Sequence, residues 1–166
     1  MTPYPANMKA RLLKEISVRR LGKNETIPYG LLLDADPSIA AIEKYLTTSE
    51  IYVAVLKTQV IGVVVLHPFD KGSFEIKNIA VEESLQGNGI GKLLLRTVTE
   101  VAIEKGANYI IIGTSNSSIG QLYLYQRSGF EITEIRMNFF PDNYPEPIFE
   151  NGIQCRHMIM LKKKLP

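Results

Sequence analysis

The sequence lacks the features that mark secreted and membrane proteins. It contains a single cysteine, Cys155, so an internal disulfide framework is excluded. No apolar run reaches the length of about 20 residues that a membrane span needs, and the start of the chain has no unbroken apolar stretch of a secretory signal. We therefore expect a cytoplasmic protein with no membrane partner. Its 166 residues fit one domain and contain no internal repeat.

An excess of charge of one sign is also missing. The net charge is +2, and the lysines and arginines are scattered along the chain, so a nucleic acid is not predicted as a partner. His67 and His157 lie far apart and no H-x-x-x-H or C-x-x-C spacing occurs, so no metal site is predicted. Without a G-x-S-x-G motif, and with Cys155 expected to be buried, covalent catalysis is not predicted either.

Alternating strand and helix patterns are present instead. Residues 1–14, with two prolines, are interpreted as an N-terminal arm or short helix, and residues 15–166 as one domain. Apolar and β-branched runs predict strands at 16–21, 51–56, 60–67, 73–81, 108–113, 130–139 and 153–163. Helical spacing predicts helices at 25–33, 38–46, 90–105 and 118–128. The short links favour an antiparallel meander, and the helix at 90–105 a parallel crossover, within a mixed α/β sandwich.

A glycine-rich turn between a strand end and a helix start is the most informative segment, spanning residues 80–92. Backbone N–H groups at a helix N-terminus are unpaired and lie at the positive end of the helix dipole. Gly87, Gly89 and Gly91 have no Cβ to block an approaching phosphate. The segment therefore predicts a pyrophosphate site. The alternative is an ordinary loop whose glycines adopt positive φ.

Two known phosphate motifs do not fit this spacing. The dinucleotide pattern needs a glycine where Lys92 stands and an acidic residue where Ile111 stands. The P-loop pattern needs a glycine where Gln86 stands and Ser or Thr in place of Leu93. A nucleotide-binding switch is thereby disfavoured.

The turn resembles the [QR]-x-x-G-x-[GA] motif of the GNAT superfamily of acyl-CoA-dependent N-acetyltransferases. The resemblance extends from about residue 16 to 163 and includes the segment 124–130. It implies a three-layer sandwich whose central sheet has about seven mostly antiparallel strands, with helices on both faces, and acetyl-CoA as co-substrate. It also implies a pyrophosphate cradle and a strand that pairs with the pantetheine arm. The residues so assigned are Ile79, Ala80 and Val81 in the strand and Gln86, Gly87, Asn88, Gly89, Ile90, Gly91 and Lys92 in the turn. For Lys92, a solvated side chain is the alternative.

The same resemblance assigns two catalytic residues. It matches Tyr125 to the tyrosine that protonates the coenzyme thiolate, with a core or surface aromatic as the alternative; Tyr123, on another side of the helix, suits packing. It matches Glu75 to the carboxylate that removes the proton of the amine. Strand alternation places Glu75, Ile79 and Val81 on one face, although an ion pair of Glu75 with Lys77 is the alternative.

Asn116 is carried over as a cofactor contact, although the pattern departs here from the family. The family often has an asparagine seven residues before the helical tyrosine, where Ser118 stands in this chain. Helix capping or turn formation is the alternative explanation of both residues.

The acceptor class stays open between small-molecule and peptide amines. Residues 139–150 combine four aromatic and three acidic side chains with no basic one, which favours a cationic amine. The alternative is a proline-stiffened hairpin whose aromatics cover the core. The sequence thus predicts acetyl transfer to a primary amine by direct attack in a ternary complex, by a monomer or homodimer. A catalytically inactive acyl-CoA-binding module is the alternative function.

Overall fold

A seven-stranded sheet organises residues 4–166, the part of the chain that the computed structural model describes. The strands are β1 (Ile16–Arg20), β2 (Glu50–Leu56), β3 (Gln59–Asp70), β4 (Ser73–Val81), β5 (Tyr109–Ser115), β6 (Glu131–Arg136), β7 (Phe149–Glu150), β8 (Ile153–Gln154) and β9 (Met158–Lys164). The helices are α1 (Ala6–Glu15), α2 (Tyr29–Ala35), α3 (Ile39–Leu46), α4 (Ile90–Glu104), α5 (Ile119–Arg127) and α6 (Phe139–Asn143), with a 3-10 turn at Glu83–Leu85.

The strand order is β1-β2-β3-β4-β5-β9-β6, while β7 and β8 form a separate hairpin. β4 and β5 are parallel and are joined through α4, as the apolar run of β5 predicts, and the other neighbours in the large sheet are antiparallel. The predicted sandwich about a mixed, mostly antiparallel sheet of seven strands is confirmed.

Two hydrophobic cores cover the two faces of the sheet. On one face, which we call the α4 face, Leu94 and Val98 of α4 pack with strand residues such as Ile76. On the opposite face, the α2 face, Leu32 of α2 and Ile42 of α3 pack against β2 and β3. Burying an aliphatic side chain of this size stabilises the fold by about 1.5–3 kcal/mol relative to exposure. The sheet is thereby fixed from both sides, and its middle strands keep a defined geometry.

Several helix ends follow the local sequence. The Ser38 side chain accepts a hydrogen bond from the Ala41 N–H, so it caps α3 as its position before the apolar run predicts. Gly106 follows α4 with φ at 73°, the left-handed conformation that glycine adopts without a Cβ clash. α4 therefore begins at the glycine turn and ends at a glycine.

The C-terminal third differs from the predicted strands. The strand predicted at 130–139 ends at Arg136, because Asn138 adopts a left-handed φ of 56°. The strand predicted at 153–163 is divided into β8 and β9. Between them the Cys155 N–H bonds to the Ile148 carbonyl, so the chain joins the large sheet only where β9 begins. Residues 139–150, for which no regular element other than the end of a strand was predicted, contain α6 and β7.

The N-terminal arm is helical in the part that the structure describes. α1 begins after Pro5 and ends at Glu15, one residue beyond the boundary predicted at residue 14. Residues 1–3 of the predicted arm lie outside the described residues. Leu12 and Leu13 pack against the core of the α4 face. The division into an arm and a domain stays a prediction.

Candidate active site

β4 and β5 separate in the middle of the sheet. Their parallel register ends at the pair Ile76 and Ile112, although β4 continues to Val81. Beyond Ile76, the edge of β4 that faces β5 pairs with no strand of the described residues 4–166, so its backbone groups are available to an extended ligand. The predicted pantetheine-binding residues Ile79, Ala80 and Val81 lie on this free edge.

The glycine turn presents a run of unpaired backbone donors. The N–H groups of residues 87–92 make no hydrogen bond to any group within residues 4–166. Gly87 and Gly89 adopt left-handed φ values of 75° and 92°, and Gly89 is the residue from which α4 begins. Consecutive N–H groups in such a turn converge on one side, where the positive end of α4 adds to their attraction for an anion. The predicted pyrophosphate-binding residues are therefore brought together.

Side chains within the turn hold its shape. The Gln86 side-chain amide donates a hydrogen bond of 3.0 Å to the Val81 carbonyl. Asn88, which is only 3% exposed, donates to the Leu85 and Gln86 carbonyls at 3.1 and 3.3 Å. Its Oδ1 accepts a bond of 3.0 Å from the Tyr4 N–H. These polar groups shape the turn, and the peptide N–H groups stay available for a ligand.

The glycines also leave room for neighbouring helices. A Cβ on Gly89 would lie 3.3 Å from Leu13 of α1, and one on Gly91 would lie 3.2 Å from Leu124 of α5. The missing Cβ of Gly91, expected to make room for a phosphate, makes room for the Leu124 side chain in the structure. α5 consequently lies against the first turn of α4.

Two further predicted cofactor residues differ in their surroundings. The Lys92 side chain is exposed on the first turn of α4. The Asn116 Oδ1 accepts bonds from the Arg156 and His157 N–H groups at 2.8 and 2.9 Å, and its amide donates to the Gln154 carbonyl at 3.1 Å. Asn116 therefore connects the end of β5 to the segment before β9. It does not cap α5, but it lies in the turn that the Ser118 N–H closes on the Ser115 carbonyl at 3.1 Å, so of its two alternatives turn formation is the one observed. Cofactor contact remains a prediction for both residues.

Tyr125 lies in the core of the α4 face and is 3% exposed. Its ring is tilted against that of Phe130, with the ring centroids 6.3 Å apart. Burial raises the pKa of the Tyr125 phenol, and the negative charge of Glu150 raises it further. The phenol is therefore held in its protonated form, which a proton donor requires.

Glu150 is a candidate functional residue that the sequence reasoning missed. It accepts a hydrogen bond of 2.6 Å from the Ser118 hydroxyl. Ser118 occupies the N-cap position of α5, but its side chain accepts no capping bond, so the expected side-chain cap is wrong. No local motif could identify Glu150, because its partners come from a different part of the chain.

Tyr123 of α5 is 68% exposed, so the expectation that it packs is wrong.

A β-bulge at Lys77 changes the face on which Glu75 lies. The pairing with β3 skips Lys77, so that Ile76 and Ile79 both reach the core of the α4 face. Val81 packs on that face too. Glu75 alternates with Ile76 and therefore lies on the α2 face. The expectation that Glu75 shares a face with Ile79 and Val81 is wrong, because strict alternation ends at the bulge.

Glu75 is sheltered at the point where the two strands begin to separate. Its side chain is 14% exposed, and Oε2 lies 3.1 Å from the Lys77 ammonium group. The ion pair between Glu75 and Lys77, the alternative to a catalytic role of Glu75, is therefore formed. His67 of β3 is the direct cross-strand neighbour of Glu75.

The acidic, aromatic segment 139–150 lies against the C-terminal end of α2. The Tyr144 hydroxyl donates a bond of 3.1 Å to Asp36 Oδ1, and burial together with the Asp36 charge raises the pKa of Tyr144. The Phe140 and Tyr144 rings stack with centroids 5.8 Å apart. None of the four aromatics of the segment belongs to either core, so the alternative that they cover the core is wrong.

A pocket of about 130 Å³ opens within this segment. Its lining contains one carboxylate, that of Glu146, and no basic side chain. The lining residues are Phe140, Pro141, Tyr144, Pro145, Glu146, Pro147, Ile148, Gln154 and Cys155. This composition suits a small, positively charged group.

Other site types find no support in the described segment. Within residues 4–166, no group of three His, Cys, Asp or Glu side chains is arranged to hold a metal ion. The helices of that segment include none with the length and apolar composition to cross a bilayer. Cys155 is buried, as expected, with its Sγ 3.0 Å from the Ser117 hydroxyl oxygen.

Comparison with known proteins identifies the family. The acetyltransferase (GNAT) family model matches residues 23–130. The uncharacterized N-acetyltransferase YvbK of Bacillus subtilis is 50% identical over 133 residues, which cover 80% of this chain and 86% of the relative.

Two solved structures share both sequence and fold with the chain. A GNAT family acetyltransferase from Elizabethkingia anophelis with acetyl-CoA bound is 52% identical, with a TM-score of 0.89 over 91% of this chain and 99% of that one. A Bacillus subtilis acetyltransferase in complex with CoA is 45% identical, with a TM-score of 0.86 over the same shares. This chain belongs to the GNAT family of acetyltransferases, which use acetyl-CoA as co-substrate.

Proposed function

We propose that this N-acetyltransferase transfers the acetyl group of acetyl-CoA to a primary amine by direct attack in a ternary complex. The observation that carries the proposal is the free edge of β4, which leads directly to the unpaired N–H groups of residues 87–92. Together they form one track, with donors for the pyrophosphate in the turn and a strand edge for the pantetheine arm. A cofactor on this track extends its thioester toward the bulge at Lys77.

The proposed chemistry uses residues from both faces of the sheet. The amine nitrogen attacks the thioester carbonyl carbon, and a backbone N–H on the free edge of β4 stabilises the developing oxyanion. The C–S bond then breaks, and the thiolate takes its proton from Tyr125, on the α4 face. Glu75, on the α2 face, receives the proton that the amine loses, directly or through water. The acid and the base thus lie on opposite sides of the opening between β4 and β5.

The acceptor is proposed to be cationic and to approach from the α2 face. Asp36 and Tyr144 join the end of α2 to the acidic segment 139–150, which places that segment on the same face as Glu75. The exposed Glu146 and the stacked rings of Phe140 and Tyr144 are groups that attract an ammonium ion. A small molecule or a peptide with a second positive charge matches this surface best.

A catalytically inactive acyl-CoA-binding module is not favoured. The relatives are named as acetyltransferases, and Tyr125 has a buried, protonated phenol on α5, the helix whose Leu124 lies beside Gly91 of the turn. A binding module has no need for a proton donor at this position. We further propose that the enzyme acts in the cytoplasm, as a monomer or homodimer.

An acceptor screen with initial-velocity kinetics tests the proposal. Thiol release from acetyl-CoA is followed with neutral, acidic, monocationic and dicationic primary amines. Direct transfer predicts double-reciprocal lines that intersect, because both substrates must be bound before the chemistry begins. Parallel lines with an isolable acetyl-enzyme would refute direct transfer, and a protein that binds acetyl-CoA yet turns over no amine would support the inactive module.

A further inference from the structure

The N-terminal helix and the residues before it contact the glycine turn directly. The Lys9 ammonium group donates a hydrogen bond of 2.9 Å to the Gly87 carbonyl, and the Tyr4 N–H donates one of 3.0 Å to Asn88 Oδ1. Leu13 lies beside Gly89. Three positions of α1 and its N-terminal flank thus meet three consecutive residues of the turn, about 80 residues away in sequence.

The bond from Lys9 bears on the direction of one peptide group. In a trans peptide the C=O and N–H groups point in opposite directions. The Gly87 carbonyl points toward α1, so the N–H of Asn88 in the same peptide points away from α1. A cation on the carbonyl oxygen also polarises the peptide and strengthens its N–H as a donor.

We propose that α1 is part of the acetyl-CoA site and that Lys9 is a positioning residue for the pyrophosphate. Lys9 holds the peptide between Gly87 and Asn88 with its N–H directed at the phosphates, and its charge attracts them through the turn. The inference rests on the proposed placement of the pyrophosphate at residues 87–92.

The test compares Lys9→Met with Lys14→Met. Both substitutions remove an ammonium group from α1 and keep an aliphatic stem, but Lys14, in the last turn, has no hydrogen bond to the glycine turn. Lys9→Met should raise the KM and Kd for acetyl-CoA by about tenfold, which is the loss expected of one charge-assisted hydrogen bond. Its kcat should stay unchanged, Lys9→Arg should restore most of the affinity, and Lys14→Met should behave as the parent protein.

A truncated donor separates positioning from general destabilisation. Acetyl-pantetheine carries the thioester but no pyrophosphate, so Lys9→Met should leave its KM unchanged. Equal losses with acetyl-CoA and acetyl-pantetheine would show a structural role and overturn the inference, as would equal acetyl-CoA affinity of the two lysine variants. If Gly89→Val also leaves acetyl-CoA binding intact, the pyrophosphate lies elsewhere and the proposed site itself is wrong. If Gly89→Val abolishes binding while Lys9→Met is silent, the inference about α1 alone fails.

Discussion

The Ser118 hydroxyl donates a hydrogen bond of 2.6 Å to the Glu150 carboxylate, which connects the start of α5 to β7. The same carboxylate contributes to the raised pKa of Tyr125, because a nearby negative charge disfavours the phenolate. The hairpin of β7 and β8 is therefore coupled electrostatically to the proposed proton donor, although burial remains the larger cause of the raised pKa.

Glu150→Gln should move the alkaline limb of the kcat profile to lower pH. A general acid works only while protonated, and the raised pKa of Tyr125 keeps it protonated as the pH rises. Removing the Glu150 charge lowers that pKa, so activity should be lost at a lower pH than in the parent enzyme. The measurement is kcat against pH at saturating substrates, with the exposed Glu131→Gln as control. Identical alkaline limbs for the parent and Glu150→Gln would contradict the coupling.

Tyr125→Phe should reduce kcat by about 100-fold or more, the usual contribution of a general acid. The phenol acts only when the thiolate departs, so the Kd for acetyl-CoA should stay nearly unchanged. Tyr123→Phe, on the exposed side of the same helix, is the matched control and should be silent. A Tyr125→Phe enzyme with parent kcat, under conditions where chemistry limits the rate, would exclude the role.

Gly89→Val should abolish most of the thermal stabilisation by acetyl-CoA. A ligand at a hundredfold excess over Kd adds about 2.7 kcal/mol to the free energy of unfolding, and a branched side chain at Gly89 crowds the turn and strains its left-handed φ. Gly106→Val is the control, because Gly106 also has a positive φ but follows the other end of α4. Both variants should melt earlier without ligand, and only Gly89→Val should lose the shift with acetyl-CoA. An undiminished shift in Gly89→Val would place the phosphates elsewhere.

Local patterns sufficed for the main elements of the fold, including the strand and the glycine turn that we propose as the cofactor site. β4 was predicted with its observed bounds, and α4 with its start at Ile90, because alternation, helical spacing and glycine each act over a few residues. The bulge at Lys77 was not predicted. Its only signal in the sequence is the spacing of three residues between the apolar Ile76 and Ile79, which is too weak to identify a bulge. Face assignments made by strict alternation fail at such a position.

Contacts between segments that are distant in the sequence could not be predicted from local patterns. Lys9 is 78 residues from Gly87, and Glu150 is 32 residues from Ser118. Neither belongs to a motif, because each acts through a partner that only the folded chain brings near. The bonds between the Asn116 side chain and the backbone of Gln154, Arg156 and His157 are a further example, since no pattern near residue 116 indicates them.

Glu75→Gln should reduce turnover most at low pH. There the amine is mostly protonated and depends on a base, so the loss should shrink as the pH approaches the pKa of the amine itself. Lys77→Met is the control, because it breaks the same ion pair from the other side and keeps the carboxylate. Equal, pH-independent losses in both variants would assign the pair a structural role.

Glu146→Gln should raise the KM for the acceptor and leave that for acetyl-CoA unchanged. Glu146 is the carboxylate of the pocket beside Phe140 and Tyr144, and it lies in a segment with no basic residue. Dicationic amines should therefore be better substrates than neutral ones of equal size, with the difference expressed in KM. Added salt should weaken acceptor binding, since it screens exposed charges beyond a Debye length of about 8 Å at physiological ionic strength.

The salt dependence, measured in the parent enzyme and in Glu146→Gln, distinguishes recognition of the acceptor by charge from recognition by shape. If the Glu146 carboxylate attracts the second charge of the acceptor, Glu146→Gln should reduce both the preference for dications and the effect of salt. Glu131→Gln, on the exposed β6 strand, removes an equal charge outside the pocket and should change neither. Because the proposed acetyl-CoA site lies in a different segment, the KM for acetyl-CoA serves as an internal control in every assay. Neutral amines outperforming dications, with Glu146→Gln silent, would assign the pocket another role and leave the acetyl transfer itself untouched.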